Sequence, residues 1–212
     1  MSDTFPLQDN MAMAFGTPVV AYRWPDSESL NSTLQALILE KEQTSAGIDR
    51  SNAGAWHSRI DLFDWDADCV RTLKSRVEKA AAGLTQAVTV SPPDQPRVFR
   101  YHCEGWANIT RHGGYNKLHN HPNSQWSGVY YVTAGEPDRA WEDNGKLELI
   151  DPRTGINMVV LKDSLIDGRY IVEPIPGLMV IFPSWLKHLV HPFYGTGDRI
   201  SIAFNVIVTE DA

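Results

Sequence analysis

Residues 91–111 read SPPDQPRVFRYHCEGWANITR, and the fold turns on them. Three prolines within Ser91–Pro96 cannot continue a helix and predict an extended connector. On either side of it the hydrophobic rhythm differs. Before it, Leu30, Leu34, Leu37 and Ile38 recur at helical spacing behind the cap candidates Asp26, Ser27 and Ser29. Val70, Leu73, Val77, Ala81 and Leu84 repeat the pattern, with Asp66 or Asp68 as the expected cap. Between these helices, IDRSNAGAWHSRIDLF predicts a shaped loop running into a short strand at Arg59–Phe63.

After the connector the period falls to two. RVFRYHCEGWANITR, SGVYYVT, KLELID, RYIVEP, GLMVIFPSW and RISIAFNVIV are short runs bounded by Gly, Pro and Asn. Such punctuation predicts an antiparallel sandwich or barrel, with the helices covering one outer face. We therefore expect a mainly β protein with flanking helices, organised as one domain over 1–212. Residues 1–95 supply helices and a loop that pack on the barrel, and 96–212 form its core.

Composition narrows the classes. The chain has 212 residues, 42% of them hydrophobic and 21% charged, an ordinary globular balance for a sizeable core. MSDTFPLQDNMAMAFG lacks the basic start and apolar run of a signal peptide, and no stretch approaches the roughly 20 apolar residues that cross a bilayer. Cys69 and Cys103 match no metal or redox spacing and read as reduced and buried. A cytoplasmic protein without membrane contact is the expectation. The net charge of −7 is spread along the chain with no basic stripe, which disfavours nucleic acid as a partner.

Six of the seven histidines fall between residues 102 and 191. His119 and His121 stand in KLHNHPNS, and on an extended strand residues i and i+2 point to one face. If that face is the lumen of a barrel, two imidazoles form an edge for a divalent metal, close to the rim because Pro122 ends the strand. In PGLMVIFPSWLKHLVHP, Pro183–Trp185 breaks a buried strand just before His188. One strand beyond, RISIAFN places Arg199, Ser201, Ala203 and Asn205 on one face and Ile200, Ile202, Phe204 and Val206 on the other. An inward guanidinium needs an anion, and a bound carboxylate would supply one in bidentate geometry.

Each element alone has a plainer reading. H-x-H pairs are more often surface or core pairs than metal edges, a lone His57 reads as structural, and an isolated Arg199 pairs most often with a protein carboxylate. The combination is more specific than its parts. His112 and His191 remain alternative ligands, the latter if the strand before it ends later than the FPSW break.

At these residues the chain resembles a known family. Residues 106–206 resemble the Fe(II)/2-oxoglutarate-dependent oxygenase superfamily, closest to its prolyl-hydroxylase-like branch. HNHPNSQWSGVYYV, IDPR, PGLMVIFPSWLKHLVHP and RISIAFN, with the earlier SNAGAWHS, are similar to a group of uncharacterised bacterial and phage 2-oxoglutarate oxygenases. The resemblance implies a double-stranded β-helix, the jelly-roll or cupin-like barrel. It implies Fe(II) on His119, His121 and His188, with 2-oxoglutarate as cosubstrate and O2 consumed in hydroxylating a small-molecule or peptide substrate. The basic residue that grips the cosubstrate falls on Arg199. The tyrosine facing the same carboxylate falls on Tyr131, which shares a face with Ser127 and Val129, and Asn205 on the Arg199 face lines the pocket. No catalytic side chain beyond the metal site is implied.

The family usually has a carboxylate where this chain has His121, so the reaction type stays open, as does entry of Glu104, Glu148 or Asp151 into the shell. Two other readings stand beside it. One is a cupin-like three-histidine metalloenzyme without 2-oxoglutarate, which has no need of Arg199. The other is a non-catalytic ligand-binding barrel with Trp126, Trp141 and Trp185 as contacts. The primary substrate and oligomeric state are not legible, although the loop holding Trp56, His57 and Arg59 is placed to select a substrate.

Overall fold

The two apolar stripes form helices α1 (Glu28–Thr44) and α2 (Asp68–Val88). Leu34 and Ile38 of α1 are fully buried, as are Leu73, Val77 and Ala81 of α2, each aliphatic side chain contributing about 1.5–3 kcal/mol by leaving water. The caps differ from expectation. Ser27 is the N-cap of α1, but its hydroxyl donates to the Trp24 carbonyl and accepts from Arg76, so it is not free to cap. Ala67 precedes α2, and Asp68 serves as a first-turn acid facing the helix dipole. The computed structural model describes residues 16–90, 97–156 and 168–211; the Ser91–Pro96 connector and residues 1–15 lie outside these.

Among the described residues, nine strands follow the chain as β1 (Val20–Arg23), β2 (Asn52–His57), β3 (Phe99–His119), β4 (Trp126–Pro137), β5 (Leu147–Ile150), β6 (Arg169–Val172), β7 (Leu178–Pro183), β8 (His188–Val190) and β9 (Gly195–Glu210). Their order is β1-β7-β4-β9-β3-β8-β5-β6, with β2 also on β3, and every pairing is antiparallel. The sheet curls on itself as the expected double-stranded β-helix.

Strand β3 joins the two leaves. Its first half runs along β9, from Phe99 opposite Glu210 to Thr110 opposite Arg199. Its second half reaches β8, where His119 faces His188. Between them the β2 ladder jumps from Ala55–Thr110 to Ala53–Tyr115, leaving Arg111–Gly114 as a bulge. A Cβ at Gly114 would sit 2.7 Å from the Gly54 carbonyl oxygen, so the two backbones meet here only through glycine.

The period-two reading of β4 and β9 holds. Tyr130, Val132, Ile200, Ile202, Phe204 and Val206 face the helices in one apolar cluster. Tyr131 faces the other way, into a second cluster with Leu147, Val180 and Phe182 inside the curl. One expectation fails: no strand forms at Arg59–Phe63. Leu62–Asp64 is a turn of 3-10 helix in which Asp64 N–H bonds the Asp61 carbonyl, and the strand lies earlier, at Asn52–His57. Leu62 and Phe63 are adjacent and both buried, which a strand would prevent by sending them to opposite faces.

Candidate metal centre and its chamber

His119, His121 and His188 converge, with one ring nitrogen of each within 4.8 Å of the others. His119 and His188 meet because they are cross-strand partners on β3 and β8, their ring centroids 4.3 Å apart. His121 arrives differently from expectation. Strand β3 already ends at His119, so strand parity does not place His121. Its backbone N–H instead donates to the Ser184 carbonyl at 3.0 Å, and Ser184 N–H donates to Gln125, which pins the turn after β3 against the turn after β7.

The donor atoms suit a metal. His119 Nδ1 lies 2.6 Å from the Lys117 carbonyl and His188 Nδ1 lies 2.9 Å from that of Leu186. A carbonyl only accepts, so both protons sit on Nδ1 and both Nε2 atoms present lone pairs, an arrangement typical of ligating imidazoles. His121 Nε2 lies 3.2 Å from His188 Nε2, within the roughly 3.0–3.4 Å separating neighbouring ligands at metal–nitrogen bonds of about 2.1 Å. Trp106 stacks on the outer face of His121 and Phe182 meets His188 edge-on. Burial pushes the His188 pKa down to about 3, and burial followed by the charges of His119 and His57 takes His121 to about 4. Burial lowers His119 as well, so all three rings are neutral at pH 7, the form a metal needs.

None of the three acids considered from the sequence joins this group. Glu148 accepts from His191 at 2.7 Å in a separate cluster with Asp143, to which Arg169 is paired at 2.9 Å. Asp151 is paired with Arg153, and Glu104 is outside the group. His191 is thereby committed to Glu148, while His112 packs against Tyr194 at 5.5 Å.

Two hollows share His119 and His121 as a wall. The inner chamber, about 50 Å³, extends from His119, His121 and His188 to Ser127, Val129, Tyr131, Arg199 and Ser201. Arg199 is 1% exposed, and among the described residues no carboxylate pairs with it. Its Nε donates to the Gly145 carbonyl at 2.9 Å, and its guanidinium carbon lies 5.4 Å from the Tyr131 ring centre. Burial lowers its pKa, yet a guanidinium remains a cation. Among the described residues the buried Tyr131 hydroxyl has no partner, its pKa raised to about 12 by burial, and Asn108 Oδ1 in the same chamber has none either. An orphaned buried cation beside an orphaned donor fits a bound carboxylate.

The outer cleft, about 270 Å³, shares Ser51, Trp106, His119 and His121 with the chamber and adds Arg50, His57, Ile60, Asn120 and Asn205. Asn205, assigned from sequence to the cosubstrate, therefore lies on this side and accepts from Ser127 at 2.8 Å. Trp106 is not singled out by the sequence, and His57 reads there as structural when taken alone, though its loop is the one expected to select a substrate. A polar Asn108 within the apolar alternation of β3 was the available signal. The most voluminous hollow described, about 650 Å³ beside the start of α1, contains no histidine. Of the tryptophans in the ligand-binding-barrel reading, Trp126 is buried and bonded to Thr85, while Trp141 and Trp185 are exposed away from both hollows.

Comparison with known proteins agrees with this geometry. Residues 104–205 match a family described as "Putative 2OG-Fe(II) oxygenase", a span containing all three histidines and Arg199. No curated protein matches the chain. Among solved structures, a prolyl-4-hydroxylase of Pseudomonas putida is 16% identical, with a TM-score of 0.61 over 90% of this chain and 92% of its own. HygX of Streptomyces hygroscopicus, solved with nickel, 2-oxoglutarate and hygromycin B, is 14% identical with a TM-score of 0.58, covering 90% and 82%. The viral collagen prolyl hydroxylase of Paramecium bursaria Chlorella virus-1 is 10% identical with a TM-score of 0.56, covering 92% and 96%. At such identities these structures speak for the fold. The resemblance seen in the sequence holds: over residues 104–205 this chain is similar to the Fe(II)/2-oxoglutarate oxygenases, and it shares the fold of the prolyl hydroxylases among them.

Proposed function

We propose that this protein is an Fe(II)/2-oxoglutarate-dependent oxygenase of the hydroxylase type, acting on a small molecule or peptide in the cytoplasm. His119, His121 and His188 hold the iron, and Arg199 with Tyr131 holds the far carboxylate of 2-oxoglutarate. When bound, the iron and cosubstrate activate O2 to oxidise a C–H bond.

The single observation that carries this reading is Arg199, a buried cation without a carboxylate among the described residues, beside the unpartnered Tyr131 hydroxyl. A lone buried charge costs several kcal/mol, which a carboxylate in fork geometry offsets. The Nε bond to Gly145 fixes the direction of the fork, and Tyr131, kept as a neutral phenol, donates to the second oxygen. The narrow chamber with Val129, Leu147, Phe182 and Val190 in its walls excludes water around this pair. Lys117 and Leu186 carbonyls hold the protons of His119 and His188 away from the metal side. Two free, buried cysteines are in keeping with a reducing compartment, and no described helix is long and apolar enough to cross a membrane.

The all-histidine donor set favours one alternative, a cupin-like metalloenzyme that does without 2-oxoglutarate. Calorimetric titration of the anaerobic, Fe(II)-loaded protein with 2-oxoglutarate separates the two. Binding at micromolar concentration supports the oxygenase, and no detectable binding overturns it.

A further inference from the structure

The outer cleft contains polar groups that no described residue satisfies. His57 is 3% exposed, and its Nδ1 lies 2.6 Å from the Ser58 carbonyl, so the proton is on Nδ1 and Nε2 is left as an acceptor. The ring lines the cleft, and no described donor reaches Nε2. Trp106 stacks on it at 5.6 Å and 8°, and on His121 at 5.5 Å and 27°. His57 is packed against the indole and is not part of the His119, His121 and His188 group.

Arg50 lines the same cleft, and among the described residues its guanidinium has no carboxylate partner. Its own N–H donates to Asn52 Oδ1 at 2.7 Å, which anchors the loop carrying it to the start of β2. The protein as a whole is acidic, so Arg50 makes the cleft locally receptive to an anion that the rest of the surface repels. Burial, and less strongly Arg50, also keep His57 neutral. At about 270 Å³ the hollow has room for a small molecule.

Resting on the oxygenase reading above, we propose that the outer cleft binds the primary substrate as a small carboxylic acid bearing a hydroxyl or amine. Its carboxylate pairs with Arg50 and its O–H or N–H donates to His57 Nε2. A compound lacking the donor leaves a buried acceptor unpaired, and one lacking the charge forgoes Arg50, so both points contribute to selection.

The test uses the full-length protein loaded with Zn(II), which is redox-silent, and saturated with 2-oxoglutarate. Saturation-transfer NMR is recorded with a panel of amino acids and hydroxy acids, each paired with its methyl ester and with the acid lacking the amine or hydroxyl. At least one acid should bind, with its ester and its donor-less partner about tenfold weaker. Arg50→Gln should bring the acid to the level of the ester and leave the ester unchanged. His57→Phe should weaken binding, and His57→Gln, which restores an acceptor near the same position, should recover part of it. No binding by any panel member, equal binding of acid and ester, or indifference to Arg50→Gln overturns the proposal. Titrating 2-oxoglutarate into the same samples separates the two readings. Normal 2-oxoglutarate binding with a silent panel removes only the cleft assignment, whereas panel binding without 2-oxoglutarate binding removes the oxygenase and leaves the cleft.

Discussion

The two hollows that meet at His119 and His121 are built by different means. The inner chamber is walled mainly by alternate residues of strands: Ser127, Val129 and Tyr131 from β4, Arg199, Ser201 and Ala203 from β9, Trp106 and Asn108 from β3. Strand β9 is laddered on both sides, to β3 and to β4, and so holds these residues of all three strands in a fixed register. The outer cleft joins His57, Trp106, His119 and Asn205 from strands to five loop residues: Arg50 and Ser51 before β2, Ile60 after it, and Asn120 and His121 from the turn after β3. Side chains on paired strands keep a geometry that a recurring cosubstrate can rely on, while loops can change without disturbing the sheet. On the proposed reading, this difference would put the general chemistry in the chamber and the selection of substrate in the cleft.

That division can be broken first at the shared wall. His119→Ala or His121→Ala should nearly abolish iron occupancy after anaerobic loading, read by metal analysis of the desalted protein, and His188→Ala, on the chamber side, should do the same. Losing a ligand costs more than the 10–100-fold seen when its outer-shell partner is removed. Full occupancy in all three variants would take the metal away from this wall.

Next in size is a pH effect on the metal-free protein. The His188 and His121 pKa values are lowered on folding, to about 3 and about 4, so below pH 6.5 the unfolded chain takes up protons that the folded one refuses. Their contribution is present in full above pH 6.5 and is lost as pH falls toward 4, on the order of a few kcal/mol. Urea midpoints between pH 7.5 and 4.5 should fall accordingly, and His121→Leu/His188→Leu should flatten the curve. A wild-type curve as flat as that of the double variant would contradict the burial argument.

Arg199 sharpens the chamber. Arg199→Ala should weaken 2-oxoglutarate binding by about one to two decades, for about 1.5–3 kcal/mol, and Arg199→Lys by less because charge survives without the fork. Equal affinity in wild type and Arg199→Ala would remove the assignment. Tyr131→Phe should have the smallest effect, a loss of roughly 0.5–1.5 kcal/mol, or about two- to tenfold. Isothermal calorimetry under anaerobic conditions measures both, and a larger loss in Tyr131→Phe than in Arg199→Ala would invert the roles given to them.

Much of this chamber was legible because period two is a local property. Once β9 is a strand whose Ile200–Val206 face is apolar, Arg199 and Ser201 must point the other way, and the same parity picks Tyr131 over Tyr130. The convergent histidine triad was legible as a set of residues, but the route by which His121 joins it was not. The strand ends two residues earlier than Pro122 suggests, and the bond from His121 to Ser184 closes a loop that no local pattern announces. Arg59–Phe63 failed for the opposite reason: its alternation resembled a strand, but both Leu62 and Phe63 had a core to enter.

By itself, then, the sequence determined what repeats along the chain: two helical stripes, strand faces, and the side of the sheet to which each candidate residue belongs. These follow from the geometry of the backbone over a few residues. Only the tertiary structure decided which groups meet and which go without partners. Glu148 is drawn off to His191 and Arg169, and among the described residues buried Arg199 meets no carboxylate and His57 faces a cleft with an unused acceptor. The lack of a partner is a property of everything that surrounds an atom, and in this protein those surroundings come from strands and turns far apart in the chain.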